Sequence, residues 1–495
     1  MINDNDETCE VLVVGGGGAG LAAAIEARAQ GASVILLEKN EKLGGTTAWS
    51  IGSFTATQTP HQFSSGIEDG PDEHFADMEK FAGEDAHRDN LALRRIFVDN
   101  ASETLRWLMS FGLEFFGPMP EPPHTKSRMH NVLPNSRAYI RLLGGHAKKT
   151  GVDIRYNYRA ERFLLDGDRV TGIEGTGPKG VIKIRARATV LASGDFAASE
   201  ALKTKYISDA VARVDAMNPT ATGDGHDMAL PLGARVINGD ILSGPNLRFI
   251  APPNETIDRR LPPSRIVTRL MKLGLRFLPG CLLRPFVLRF TTTSIAPELD
   301  FFKDGALLIN KRGERIDATA AELGLATAEQ PDQIGYVILD SQLAKRYSAW
   351  PHFIATAPGV AYAYFDDFRR TRPDIFYEAE TMEKLAEALH MPLETINGSI
   401  ISHNSSDTPH KLIHPPYYSL GPAKAYIVLT DGGLAVDEKL QPLGNGNKPI
   451  EGLWAAGSVG QGGLLLKGHG HHIGWAFTSG RLAGRNAALS TTDRG

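Results

Sequence analysis

Cysteine is scarce in this chain: Cys9 and Cys281 are the only two in 495 residues. Two thiols cannot hold a four-cysteine iron–sulfur cluster, and no Cys-x-x-Cys-His run is present to attach a haem. Redox centres of those two kinds are therefore excluded. Low cysteine usage agrees with a reducing compartment. An excess of one charge is lacking too, with 53 basic against 57 acidic residues. There is no arginine-rich run, so no nucleic-acid partner is expected. No stretch reaches the ~20 apolar residues that cross a bilayer. Met1 to Glu10 is polar and acidic, without the basic start and apolar run of a signal peptide, and a cytoplasmic location is expected. Internal repeats and low-complexity runs are absent. Glycine, by contrast, is abundant at 52 residues, which suits tight turns and close backbone contact with a ligand. The length suggests two or more domains.

The first fifty residues are the most informative. Val11–Val14 is a short apolar run of the length of a buried parallel strand. Gly15-Gly16-Gly17-Gly18-Ala19-Gly20 follows and matches G-x-G-x-x-G. An Ala-rich helical stretch, Leu21 to Gln30, is stopped by Gly31, and a second strand, Ser33–Leu37, ends at Glu38 with Lys39 beside it. This is a βαβ dinucleotide site with its acid in register. Gly15 permits the turn, Gly17 lets backbone approach a pyrophosphate, and Gly20 lets helix pack on strand. The helix N-terminus, with Gly18 and Ala19 just before it, offers free N–H groups to phosphate. Glu38 can accept both ribose hydroxyls.

A second glycine turn, Lys42-Leu43-Gly44-Gly45-Thr46-Thr47-Ala48-Trp49-Ser50 and then Gly52, separates FAD from NAD. NAD sites do not need it, whereas an isoalloxazine must pass close to backbone. Here the chain resembles the fumarate reductase/succinate dehydrogenase flavoprotein superfamily, which includes the 3-ketosteroid dehydrogenases. Members in membrane complexes carry a flavin-linking His near this glycine pair. None stands there in this chain, so the resemblance implies non-covalent FAD.

Further turns fall in the order the resemblance requires. Val152–Tyr156 and Arg159–Ala160 look like the strand whose backbone meets the adenine. Ala192-Ser193-Gly194-Asp195-Phe196 looks like A-[ST]-G-G-F, with Asp195 in place of a Gly. Thr222-Gly223-Asp224-Gly225-His226 resembles the G-D-G-x-x-M-A turn. Gly452 to Gly457 is another strand and turn, followed by Ser458 where relatives often have an acid. Gly474 to Arg485 reads as a closing helix, with His472 and Ile473 before it against the flavin, where the dipole stabilises an anionic reduced ring. The implied fold is α/β: a discontinuous Rossmann-like FAD-binding domain, 1–240 and 421–495, around an inserted α+β capping and substrate domain, 241–420.

The resemblance implies hydride transfer between FAD and one carbon of a C=C bond, with a side chain handling the proton on its neighbour. The arginines that hold fumarate are not matched. Lys467-Gly468-His469-Gly470-His471-His472 replaces N-R-x-G-G-N, Phe301-Phe302-Lys303-Asp304-Gly305 lacks the proton-donating arginine, and Tyr426 to Thr430 lacks the histidine expected before Asp431-Gly432-Gly433. The steroid branch's catalytic Tyr is missing as well. Lys467, His469, His471 and His472 remain as acid/base candidates, and one or more of these histidines instead only bonds flavin or backbone in the alternative reading. Tyr417, after Pro415-Pro416, and Tyr362 in the cap are further candidates, with core packing as the alternative. A metal at H-x-H-H would need an open acidic shell that the sequence does not show, so none is expected.

The stretch Ser264 to Phe290 is apolar and carries Arg265, Arg269, Lys272, Arg276, Arg284 and Arg289. It reads either as cap helices with a wet basic face or as a peripheral membrane contact. Together with Phe301 and Phe302 it favours a small hydrophobic carbonyl substrate, steroid-like or polycyclic, with an external electron donor or acceptor. Three other readings stay open: an oxidase or hydroxylase using oxygen, a fumarate-type reductase, and a flavoprotein electron-carrier subunit without a substrate of its own.

Overall fold

The computed structural model describes residues 7–252, 261–277, 284, 288, 291–293, 295–357 and 361–492. The principal sheet is built from β1 (Glu7–Val14), β2 (Val34–Glu38), β6 (Asp153–Tyr156), β7 (Arg159–Asp166), β8 (Arg169–Gly177), β9 (Gly180–Leu191) and β15 (Leu453–Ala455). Its order is β6-β2-β1-β9-β8-β7, with β15 on the C-terminal end of β9. β1 lies parallel to both β2 and β9, in register Val11↔Val34 and Val11↔Ala188. A strand paired on both edges and covered on both faces has no wet side, which is why Val11–Val14 is continuously apolar.

Helix α1 (Gly18–Ala29) begins three residues before the expected Leu21, because the glycine loop itself makes the first turn: Leu21 N–H donates to Gly17 O at 3.0 Å. The closing helix α4 (His471–Thr492) likewise starts three residues before Gly474 and runs well past Arg485. Gly474 N–H donates to Gly470 O at 2.9 Å, so His471, His472 and Ile473 form the first turn instead of preceding it.

α1 and α4 pack through small residues. A Cβ on Gly480 would meet Ala19 O at 2.3 Å, and one on Gly484 would meet Ala23 O at 2.2 Å. Arg481, between them, donates to Glu26 of α1 at 3.0 Å. Gly484→Ala is expected to cost about 1–3 kcal/mol by overpacking, seen as a lower urea midpoint with an unchanged slope.

A second, antiparallel sheet has the order β10-β14-β12-β11, formed by Asn246–Phe249, Tyr417–Tyr426, Ile334–Asp340 and Leu307–Asn310, with β13 (Phe376–Ala379) also on β14. The expected division at residue 420 falls inside β14, whose far half still pairs β10. Tyr417 and Tyr418 point to opposite faces of this strand, as alternation demands, and pack into two different apolar clusters. Three short strands, β3 (Ser53–Thr55), β4 (Glu114–Met119) and β5 (Met129–Leu133), make a small sheet of order β3-β5-β4. Two further helices, α2 (Pro71–Ala82) and α3 (Arg265–Phe277), lie between α1 and α4 in the chain. Of the stretch 264–290, residues 278–283, 285–287 and 289–290 lie outside the described residues, Cys281 among them. Among the described residues, no helix is long and apolar enough to cross a membrane.

Candidate flavin site

Where β1 stops at Val14, the chain turns under α1. Gly15 has φ +112°, a conformation other residues rarely adopt, and donates to Leu37 O at 2.8 Å. A Cβ on Gly17 would meet nothing closer than 3.8 Å, so backbone is laid open there. The space beyond is an open cleft. Gly15, Gly17, Gly18, Ala19, Glu38, Lys39, Gly45, Thr46, Thr47, Ala160, Ser193, Gly194, Asp224, Gly457 and Ser458 line it. Gly20, Gly44, Ser50, Gly52, His472 and Ile473 are not in its wall. Gly20 instead lies under the loop, and Gly52 O takes the Tyr139 hydroxyl at 2.9 Å. Tyr158, Arg159, Asn218, Thr220 and Ala221 line it as well. Arg159 opens β7 beside Ala160, as expected, and the other four stand on loops with no glycine signature, so no motif marked them.

The wall is braced by short contacts. Glu38 Oε2 accepts from Gly16 N–H at 2.9 Å, and Oε1 accepts from Asn40 N–H and Nδ2 at 2.9 and 2.7 Å. The carboxylate expected to serve the ribose thus also fixes the glycine loop, and Oε2 keeps a further lone pair. Gly18 N–H donates to Thr47 Oγ1 at 3.1 Å, and Asn218 Nδ2 to Thr46 Oγ1 at 2.9 Å. Asp224 accepts from Lys39 at 2.8 Å and Arg159 at 2.9 Å. Burial alone would raise its carboxyl, but the Lys39 hydrogen bond and the charges of Lys39 and Arg159 hold it below the usual range. Ser193 Oγ is buried in this wall with no partner in the protein. An open backbone cradle at a helix N-terminus, an acid at the end of β2 and an unspent hydroxyl all fit FAD.

The histidines gather at the N-terminus of α4. Thr55 of β3 holds the preceding loop, its Oγ1 donating to His469 O at 2.7 Å. His469 meets Glu121: Oε1 accepts from the backbone N–H at 2.7 Å and lies 2.5 Å from Nδ1. The Glu121 hydrogen bond raises the His469 pKa against the opposing effect of burial. Glu121 Oε2 is buried and unpartnered, whereas the His469 side chain is half exposed. His472 Nε2 stands 3.5 Å from Asp431 Oδ1, which also accepts from Gln461 at 2.9 Å. Burial lowers the His472 pKa, with Asp431 acting against it. Nearby Asp195 is pushed up to about 6, first by burial and further by the Asp431 charge.

His471 faces away from both pairs. Its Nδ1–H donates to Lys467 O at 2.6 Å, so Nε2 carries a lone pair, 3.1 Å from Nε2 of His74 on α2. His124 completes a triad with one nitrogen from each ring within 4.8 Å. The spacing is open to a cation, but the tautomers oppose one. Arg128 donates to His124 Nδ1 at 3.0 Å, which leaves the hydrogen on Nε2 of that neutral ring. A metal on Nε2 would force Nδ1–H against a guanidinium.

Lys467 is held elsewhere, in an ion pair with Asp85 at 2.6 Å. Tyr362 packs edge-on to Trp350 and at a tilt to Phe353 on a cap hairpin, and Tyr417 packs among cap residues beside Asp340. Neither has a contact with the histidines. Glu121, Asp431, His74 and His124 were missed from sequence. Only Asp431 had a signal, standing before the Gly432-Gly433 pair.

A family model described as "FAD binding domain" matches residues 10–465. The chain belongs to the FAD binding domain family. Among relatives of this flavoprotein is a probable fumarate reductase, Ifc3, of Shewanella frigidimarina (strain NCIMB 400), 27% identical over 99% of this chain and 76% of that protein. The open conformation of a flavocytochrome c3 fumarate reductase superposes with a TM-score of 0.73 at 25% identity, over 99% of this chain and 79% of the other. A 3-ketosteroid-Δ4-(5α)-dehydrogenase from Rhodococcus jostii RHA1 shares the fold, with a TM-score of 0.61 at 23% identity, over 99% of this chain and 98% of the other. The flavoprotein is an oxidoreductase of this fumarate reductase-like group.

Proposed function

We propose that this flavoprotein reduces a C=C bond α,β to a carbonyl on a hydrophobic substrate, with FAD held non-covalently and electrons arriving from an external donor. The observation that carries the reading is the Glu121–His469 pair at the N-terminus of α4. Bound FAD would supply the hydride. His469 supplies the proton: Glu121 anchors Nδ1 and favours the imidazolium, and Nε2 is left to exchange with substrate. A histidine kept protonated suits the reductive direction, in which a carbon must receive H⁺. The helix end beside it favours negative charge developing on the substrate carbonyl oxygen. The absence of any histidine between Lys42 and Gly52 supports dissociable flavin.

Two observations favour an apolar ketone or enone over a dicarboxylate. Arg128, the guanidinium beside the histidines, is already spent on Asp69 at 2.7 Å and on Asp77. Phe301 and Phe302 stand in the cap where the family resemblance expects a proton-donating arginine. The names of relatives favour fumarate as a second reading, and the first assay separates the two. Dithionite-reduced protein is mixed anaerobically with enones, aryl alkenes and fumarate, and flavin reoxidation is followed. Reoxidation by enones alone supports the proposal; reoxidation by fumarate alone refutes it.

His469→Asn is expected to lower enone turnover by ~10²–10⁴-fold with the flavin spectrum unchanged. Glu121→Gln should move the alkaline limb of the rate profile to lower pH, since the carboxylate is what raises the His469 pKa. If both variants keep wild-type rates, the proton comes from elsewhere, and the Asp431–His472 pair is next.

A further inference from the structure

Two buried carboxyls lie behind the wall of the cleft, and the proposed reaction uses neither. Asp195 is 1% exposed and stands where the family resemblance expects a glycine. Asp431 is 4% exposed. The two segments touch: Phe196 N–H donates to Thr430 Oγ1 at 3.3 Å, and a Cβ on Gly432 would meet the Phe196 ring at 2.5 Å. Three links tie this cluster to the cleft. Asp195 follows Gly194, a wall residue. Asp431 accepts from Gln461, whose backbone N–H donates to the wall residue Ser458 at 3.2 Å. His472, 3.5 Å from Asp431, precedes the wall residue Ala476 by one turn of α4, on the same face.

Gln461 shows what the cluster lacks. Its Nε2 spends both hydrogens, on Asp431 Oδ1 at 2.9 Å and on Leu464 O at 2.7 Å. Both partners are acceptors, so the amide cannot be turned round. Its Oε1 is therefore a bare acceptor, buried and with no partner in the protein. A carboxylate cannot satisfy it, whereas the O–H of a protonated carboxyl can. The Asp431 charge also acts on Asp195, whose carboxyl burial has already raised. The rings that face the pair do not compensate it. His226, on the short helix Asp224–Ala229, donates to Gly432 O at 2.9 Å and is pushed down to about 4 by burial. Burial lowers His472 as well, and His471 beside it to about 4. All three are neutral at pH 7.

We propose that the Asp195–Asp431 pair stores a proton that enters when the flavin is reduced and leaves when it is reoxidised. Two electrons from an external donor and one proton convert bound FAD to its anionic reduced form, which leaves one new negative charge in the cleft. A like charge disfavours a nearby carboxylate. The pair therefore takes a second proton from solvent, by way of His472, whose side chain is 25% exposed. The O–H so formed is the donor that Gln461 Oε1 lacks. Two interacting carboxyls titrate as a unit, so the proton belongs to the pair. Reoxidation removes the two electrons and returns both protons. The inference rests on FAD binding alone and survives if the proposed substrate or the role of His469 is wrong.

The test is a potentiometric titration of the FAD-loaded full-length protein at a series of pH values, in which the slope of potential against pH counts the protons taken up with each electron pair. The wild-type protein is expected to take two over a window that opens at about pH 6, where the oxidised pair loses its proton, and one below it. Asp195→Asn keeps an oxygen for the Ala197 N–H, which Asp195 accepts at 2.9 Å, and should take one throughout. A reduced-minus-oxidised infrared spectrum of the wild-type protein should show a protonated carboxyl band that shifts when its aspartate is isotopically labelled, a reading that needs no variant. One proton per electron pair at every pH in the wild-type protein would overturn the inference, as would a wild-type slope in Asp195→Asn. A second proton without the carboxyl band would also overturn it, because His472 would then be the acceptor.

Discussion

Gly20→Ala is expected to yield a colourless, destabilised protein. A Cβ at this position would lie 1.8 Å from Gly15 O, 3.0 Å from Gly15 C and 3.4 Å from the Ala192 Cβ. No rotamer relieves the clash, because its partner is backbone. Gly15 cannot retreat, since a Cβ drawn on it would already lie 2.4 Å from Ala192 O. α1 cannot lift away, since Gly480 and Gly484 bring α4 against its other side. The added methyl must therefore separate β1 from α1, which is where the pyrophosphate cradle is made. A loss of more than about 3 kcal/mol follows from overpacking at backbone contact, and FAD binding is lost with the cradle, removing the stabilisation that a ligand of the native state confers. Gly31→Ala is the control: its φ is also positive, at +91°, but nothing lies within 4 Å of the added carbon. That variant should lose only ~1–2 kcal/mol and remain yellow. The measurements are flavin absorbance relative to protein, and a thermal melt. Wild-type flavin content in Gly20→Ala would refute the argument.

A steep loss of stability between pH 6.5 and pH 4 is the second large effect. Five histidines are buried and neutral. Burial pushes His471 and His226 down to about 4, His124 and His130 down to about 3, and His74 well below its ordinary value, each first through desolvation. In the unfolded chain they titrate near ~6.5. Between the two ranges the unfolded state binds more protons, so stability is full above the unfolded pKa and falls as pH falls. Each proton contributes ~1.4 kcal/mol per pH unit, so on the order of five protons can outrun a domain stability of ~5–15 kcal/mol within two units. Asp195 works the other way, since its folded pKa of about 6 makes the native state take up a proton first. Asp89, Asp227 and Glu298 are raised in the same sense, while His61, His146, His403 and His472 are lowered along with the five. His469 is also opposite in sign, but its contribution is present at low pH and is lost only as pH rises through its raised pKa. Urea unfolding of the flavoprotein at pH 7.5, 6, 5 and 4.5 should therefore show a falling midpoint, and a flat midpoint would mean that the buried rings are hydrated or charged in the native state.

The parts legible in the sequence were those set by neighbouring residues. The glycine loop, the strand before it, the acid after the second strand and the second glycine turn are all backbone requirements, each stated within a few positions. Gly15, Gly17, Gly18, Ala19, Glu38, Lys39, Gly45, Thr46 and Thr47 line the cleft, as do Ser193 and Gly457, whereas Gly20 and Gly44 do not. Helix starts were misjudged by three residues at both Gly18 and His471, because a loop carbonyl can begin a helix before its apolar pattern does. The cap tyrosines were drawn into the candidate list by their residue type, and packing in the cap sheet took them away from the histidines.

What the sequence determined by itself was therefore the cofactor, the parallel strands around its cradle and the run of histidines ahead of the closing helix. Only the tertiary structure decided which histidine has which partner. Glu121 reaches His469 across 348 positions of chain and His471 meets His74 across 397, while Asp431 stands beside His472 on a different element. A phosphate cradle is made of consecutive backbone groups, whose conformation their own residue types dictate. An acid–base pair is made of two side chains whose distance depends on how every element between them packs, and no local pattern encodes that distance.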